Sequence, residues 1–90
     1  MANTSQRPVT IYTVQDCPDC RQLKDWLARE EVAYEERDLS DPNVMAEAKA
    51  RTGVRVAPIS IVGKEFFYGT FSLQKPGLAA ALGLSPTGRE

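Results

Sequence analysis

Two cysteines, Cys17 and Cys20, stand in the stretch IYTVQDCPDCRQLKDWL, and the 90-residue chain contains no other thiol and no histidine. That inventory narrows the chemistry. A zinc site takes four Cys, His or carboxylate ligands, so a zinc or iron–sulfur centre here would need a dimer or borrowed ligands. A cysteine nucleophile of the acyl-transfer kind works beside an imidazole base, which is missing. A permanent disulfide would close a loop of only two intervening residues and restrain the unfolded chain very little. Two inert buried thiols are the plain alternative. Against it stands the C-x-x-C spacing beside a strand–helix–strand pattern, which is a redox signal.

The elements that would position this pair follow from periodicity. Val9–Val14 is rich in β-branched residues and reads as a strand. After it the period changes: Cys20, Leu23, Trp26 and Leu27 recur at helical spacing, leaving Arg21, Lys24, Asp25 and Glu31 for solvent. Pro18 suits the first turn of that helix, where a missing N–H has no partner to lose, and Cys17 then falls at or beside the N-cap. Val32–Leu39 reads as a second strand. Ser40 or Asp41-Pro42 opens a second helix through about Arg51, with Gly53 placed to end it. Ile59–Val62 and Glu65–Tyr68 flank Gly63-Lys64 as an antiparallel hairpin. A short C-terminal helix follows Lys75-Pro76, with Leu78 and Leu82 on one face, and the final SPTGRE reads as a frayed tail.

The order strand, helix, strand, helix, hairpin, helix predicts an α/β fold. A right-handed crossover makes the first two strands parallel, the hairpin adds antiparallel strands to the same sheet, and helices cover both faces. In such sheets function collects where a strand's carboxyl end meets the next helix, which is the position of Cys17.

At a helix tip a thiolate meets unpaired backbone N–H groups and the positive end of the macrodipole. Sites of this kind lower a cysteine pKa from ~8.5 to within ~3.5–7.5. Cys17, the earlier thiol, is therefore the expected nucleophile, with Cys20 in the first turn as the resolving thiol. Pro18 shapes the turn. Lys24 and Arg21 favour negative sulfur, whereas Asp16 and Asp19 oppose it. Trp26 reads as core. Pro58 begins a strand, a place where proline is tolerated.

The composition is that of a globular chain: 42% hydrophobic and 26% charged residues, with 11 basic against 12 acidic side chains and a net charge of −1. That balance offers no basic field for nucleic acid or anionic membrane. No apolar run approaches the ~20 residues of a membrane span. The polar start MANTSQRP lacks the apolar stretch of a secretory signal, so the expected address is cytoplasmic, where thiols are kept reduced. The chain is expected to be one domain with a core over about 8–84, flexible termini and a monomeric state.

From about Val9 to Leu84 the chain resembles the glutaredoxin-like branch of the thioredoxin superfamily. The resemblance rests on IYT, on CPDC with Lys24 following, on Asp38 after the second strand, on APIS with Pro58, and on Gly69 after the last strand. It implies a thioredoxin fold with a mixed four-stranded sheet in the order β-α-β-α-β-β-α. It also implies a cis Pro58 facing the cysteines, and a substrate groove involving Tyr12, Val56, Ala57, Gly69 and Thr70, with Ala57 pairing its backbone with an extended substrate. No metal or organic cofactor is implied. The cofactor is the Cys17–Cys20 pair itself, with electrons from glutathione or a thioredoxin reductase-type donor and disulfide-containing proteins as substrates. Several residues depart from the glutaredoxin pattern. Asp19 replaces the usual Tyr between the cysteines, Val14 the usual Lys three residues before them, and GTFSLQ the Gly-Gly-acidic segment that captures glutathione. The Gly-Phe-Arg-Pro segment of NrdH-type redoxins is not matched cleanly either. The expected function is dithiol thiol–disulfide exchange through CPDC. The alternative, from a different class, is a non-catalytic redox sensor or iron–sulfur-binding module on the same fold.

Overall fold

The computed structural model describes residues 8–84. The expected C-terminal tail and most of the N-terminal segment lie outside the described residues. Seven elements occur in the expected order: β1 (Val9–Thr13), α1 (Pro18–Arg29), β2 (Glu35–Asp38), α2 (Pro42–Thr52), β3 (Ile59–Val62), β4 (Glu65–Tyr68) and α3 (Phe71–Leu82). They form one four-stranded mixed sheet of order β2-β1-β3-β4, the architecture of a thioredoxin fold. β1 and β2 are parallel, whereas β1–β3 and β3–β4 are antiparallel.

Side-chain alternation along the strands sends residues to two separate cores. On one face Val9, Ile11 and Val62 meet Leu23, Trp26 and Leu27 of α1 and Phe71, Leu78 and Ala79 of α3. On the other, Tyr12, Ile59 and Ile61 meet Leu39 and the Val44 and Ala48 of α2. The apolar positions that periodicity assigned to α1 (Cys20, Leu23, Trp26 and Leu27) are all buried.

Caps set the helix limits. Asp41 accepts the Asn43 N–H at the start of α2, and Gly53 ends it in the left-handed region at φ 77°. Charged side chains fill the edge strand β2, and Arg37 forks onto Glu47 of α2. Charge of this kind discourages a further strand from pairing there.

Two elements start elsewhere than expected, and β1 and β2 each end one residue sooner, at Thr13 and Asp38. β2 starts at Glu35, not Val32, because the chain first turns out of α1. Glu31 adopts φ 59° and the Val32 N–H returns to Leu27 O at 2.9 Å, which leaves Val32 in the α1-side core. α3 starts at Phe71, ahead of the Lys75-Pro76 expected to open it. Thr70 caps it through the Leu73 N–H, and Pro76 sits inside the helix. The Ser72 carbonyl, which Pro76 cannot reach for want of an N–H, belongs to an exposed residue, so water can serve it. Gly77 lets α3 approach the sheet closely. A Cβ there would meet the Phe67 ring at 2.7 Å.

Candidate redox site

β1 ends at Thr13, and the chain turns through Asp16 at φ 57° to reach Cys17 in extended geometry (φ −118°, ψ 104°) as the N-cap of α1. The Cys17 sulfur accepts the Cys20 backbone N–H at 3.2 Å, while the Cys17 carbonyl accepts the Arg21 N–H at 3.0 Å. Pro18 holds the first helical position, as expected. Both thiols are free. Cys17 is partly exposed and Cys20 is buried, so a disulfide arriving from solvent meets the sulfur at 17 first. Burial, and secondly a hydrogen bond to the Cys17 sulfur, push the Cys20 thiol up to about 12. A backbone hydrogen bond from Val14 and the Lys24 charge oppose that rise.

The second of the two residues between the cysteines is tied to a distant element. Asp19 Oδ1 accepts the backbone N–H of Phe71, the first residue of α3, at 3.0 Å. Below it the Trp26 and Phe71 rings pack edge to face with centroids 5.8 Å apart. One turn along α3, the buried Gln74 side chain donates to the carbonyls of Pro58 and Gly69, each at 2.9 Å, and accepts the Ser60 hydroxyl at 2.6 Å. The Ala57–Pro58 peptide is cis. Since Tyr12 pairs with Ile59, continuing the antiparallel register sets Pro58 beside Thr13, at the end of β1 that leads to Cys17. The first turn of α3 thus joins the cysteine turn to the Pro58 strand and the Gly69-Thr70 turn.

Other expected site residues fall differently. Val56 is 62% exposed and Thr70 is exposed, whereas Ala57 packs against the α2-side core. Tyr12 is not at a substrate surface. Strand alternation points it into the α2-side core at 0% exposure, where its hydroxyl donates to Glu47 at 2.6 Å and accepts from Arg51 at 2.9 Å. Lys24, expected to support the thiolate, is bonded to Glu36 Oε2 at 2.9 Å, and the same oxygen accepts the Thr13 hydroxyl at 2.6 Å. The hydrogen bond to Glu36 raises the Lys24 pKa. The Thr13 hydroxyl, then Lys24, hold Glu36 below its ordinary carboxylate value. These groups line an open cleft of about 330 Å³ with Val14, Gln15 and Asp38.

Gln74, Ser60, Thr13 and Glu36 are not among the site residues expected from the sequence. A signal for Gln74 exists: it stands four residues before Leu78, on the helix's apolar face, once α3 is begun at Phe71. Starting the helix at Lys75 hides it.

A thioredoxin-type sheet carrying a C-x-x-C pair at the tip of its first helix defines a class of thiol redox proteins. The family model described as glutaredoxin matches residues 9–67, and the chain belongs to the glutaredoxin family. It is 30% identical over 63 residues to the glutaredoxin-like protein NrdH of Lactococcus lactis subsp. lactis (strain IL1403), covering 70% of this chain and 86% of that protein. Among solved structures, the thioredoxin-like protein BC3987 is similar at a TM-score of 0.74 and 28% identity, over 82% of this chain and 99% of that one. The solution structure of glutaredoxin from Brucella melitensis is similar at a TM-score of 0.65 and 32% identity, over 96% of each chain.

Proposed function

We propose that the chain is a dithiol thiol–disulfide oxidoreductase that reduces disulfides in proteins or in glutathione mixed disulfides. The observation that carries this reading is the Cys17 sulfur as helix N-cap, partly exposed and hydrogen-bonded by the Cys20 N–H at 3.2 Å.

The Cys17 thiolate attacks one sulfur of the substrate. A Cys17–substrate S–S bond forms, the substrate's own S–S bond breaks, and the first thiolate leaves to take a proton from solvent. Cys20 then loses its proton and attacks the Cys17 sulfur. The intramolecular disulfide forms, the second substrate thiolate leaves, and two electrons have passed to the substrate. Two of the causes that raise the Cys20 pKa come from Cys17, a hydrogen bond and a charge. In the mixed disulfide the sulfur at 17 carries no charge, so Cys20 ionises more readily at the step that needs it. Glutathione or a thioredoxin reductase-type donor returns the two electrons, and no bound metal or organic cofactor takes part.

Pro18 fixes the turn. Pro58, Val56 and Ala57 line one side of the substrate approach, and Gly69 and Thr70 the other. The chain acts as a single-domain monomer in the cytoplasm. Of the two donors, glutathione is the poorer, since Val14 and GTFSLQ stand where a glutathione-binding chain carries a Lys and a Gly-Gly-acidic segment.

Replacing Cys17 by Ser is expected to abolish reduction of a small disulfide. Replacing Cys20 by Ser leaves the first attack intact and accumulates the mixed disulfide, seen as a mass increase reversed by dithiothreitol. Reduction at the normal rate by the Cys17→Ser protein refutes the assignment.

A further inference from the structure

We infer that Asp19 sets the charge preference of the redox site, disfavouring small disulfides that carry carboxylates beside the reacting sulfur. The inference rests on Cys17 as the nucleophile and goes beyond it, since the exchange steps themselves give Asp19 no role and the charge it adds is separate from that of the thiolate.

Asp19 lies two residues from Cys17, and its carboxylate does not swing free. Oδ1 is fixed 3.0 Å from the Phe71 N–H, so the negative charge is held between the cysteine turn and the start of α3. The same contact gives the first N–H of α3 an acceptor from the chain itself. An N–H there otherwise attracts a substrate anion. Among the described residues no lysine or arginine forms an ion pair with Asp19. Asp16, next to Cys17, adds a second carboxylate, this one exposed. Lys24, the cation one helical turn beyond Cys20, is paired with Glu36 at 2.9 Å. Lys75 lies with its ammonium 5.9 Å over the Phe71 ring, and Arg21 is on the solvent side of α1. A carboxylate-bearing disulfide reaching Cys17 therefore comes up against like charge, both before the attack and in the mixed disulfide. A neutral or cationic one does not.

The test follows single-turnover oxidation of the pre-reduced protein by three disulfides of similar size: 3,3′-dithiodipropionate (anionic), bis(2-hydroxyethyl) disulfide (neutral) and cystamine (cationic). No electron donor is needed, and comparing ratios between proteins cancels the different leaving-thiol pKa values. Asn keeps an oxygen for the Phe71 N–H and removes only the charge. In the Asp19→Asn protein the anionic-to-neutral rate ratio is expected to rise about 5-fold at low ionic strength, and the cationic-to-neutral ratio to fall. Raising the salt to ~1 M, where the screening length shrinks to ~3 Å, should erase the gain. In the wild-type protein, salt should speed the anionic disulfide relative to the neutral one. Equal shifts for all three disulfides, or a wild-type anionic ratio insensitive to salt, overturn the inference. A wild-type protein that oxidises with none of the three, or does so equally without Cys17, instead overturns the oxidoreductase reading beneath it.

Discussion

Gln74 Nε2 donates to the carbonyl of Pro58 at 2.9 Å, linking α3 to the strand start that faces the end of β1. The same carboxamide holds Gly69 O and the Ser60 hydroxyl, so one buried side chain satisfies polar groups from both arms of the hairpin. Buried donors and acceptors without partners cost ~1–3 kcal/mol each. Gln74→Leu keeps the volume but strands the Pro58 carbonyl and the Ser60 hydroxyl. The expected loss is about 2–4 kcal/mol in urea unfolding. Ser60→Ala in the Gln74→Leu background should recover part of it, because one stranded group is then removed. A Gln74→Leu protein as stable as the wild type would show that water or rearrangement serves these groups.

The two thiols should differ in reactivity. The Cys17 sulfur is partly exposed, whereas Cys20 is 2% exposed and its thiol is pushed up to about 12. Only the thiolate is a good nucleophile. Iodoacetamide at pH 7 is expected to label Cys17 at least ~100-fold faster than Cys20, read by peptide mass after timed quenching. Equal labelling would mean that Cys20 is not enclosed.

Cys20 also ties stability to alkaline pH. Burial first, then its hydrogen bond to Cys17, raise its folded pKa from 9.0 to about 12. The unfolded chain therefore releases this proton first. The contribution of the neutral thiol is whole below pH ~9 and is lost as pH climbs from there towards 12. Urea midpoints of the reduced protein should fall over that window. Cys20→Ala should flatten the fall, leaving Tyr12, whose pKa is also raised chiefly by burial, to give the same sign near the top of the range.

Much of this site was legible because its chemistry is local. The C-x-x-C spacing, a proline for the first turn and a period change from strand to helix all lie within Val9–Leu27, and each has a direct physical meaning. What escaped is what depends on residues far apart. The Asp19–Phe71 contact spans 52 positions and the Gln74–Pro58 contact 16. Neither has a period or a spacing to betray it. Tyr12 was placed in the groove by the resemblance, whereas strand alternation turns its ring into the α2-side core. Lys24 shows the limit of charge reading: its helix position suggests help for a sulfur, and only the fold brings to it Glu36, whose Oε2 also accepts the Thr13 hydroxyl.

Gly77 offers a test of how tightly α3 rests on the sheet. Ala in place of Gly inside a helix ordinarily gains up to ~1 kcal/mol. Here the added Cβ would lie 2.7 Å from Phe67 Cε1 and 3.0 Å from Cδ1, so either the ring or the helix must move. Overpacking of this kind costs ~1–3 kcal/mol, which exceeds the propensity gain. Gly77→Ala is therefore expected to destabilise by about 1 kcal/mol net in urea unfolding. Pairing it with Phe67→Leu separates the two effects: the smaller side chain makes room for the methyl, so the double mutant should lose less than the single losses added together. A Gly77→Ala protein more stable than the wild type would mean that the ring yields without cost and that α3 sits more loosely than its contacts imply. The helix whose first turn holds both Asp19 and the Pro58 carbonyl would then be a less rigid platform for the cysteine pair.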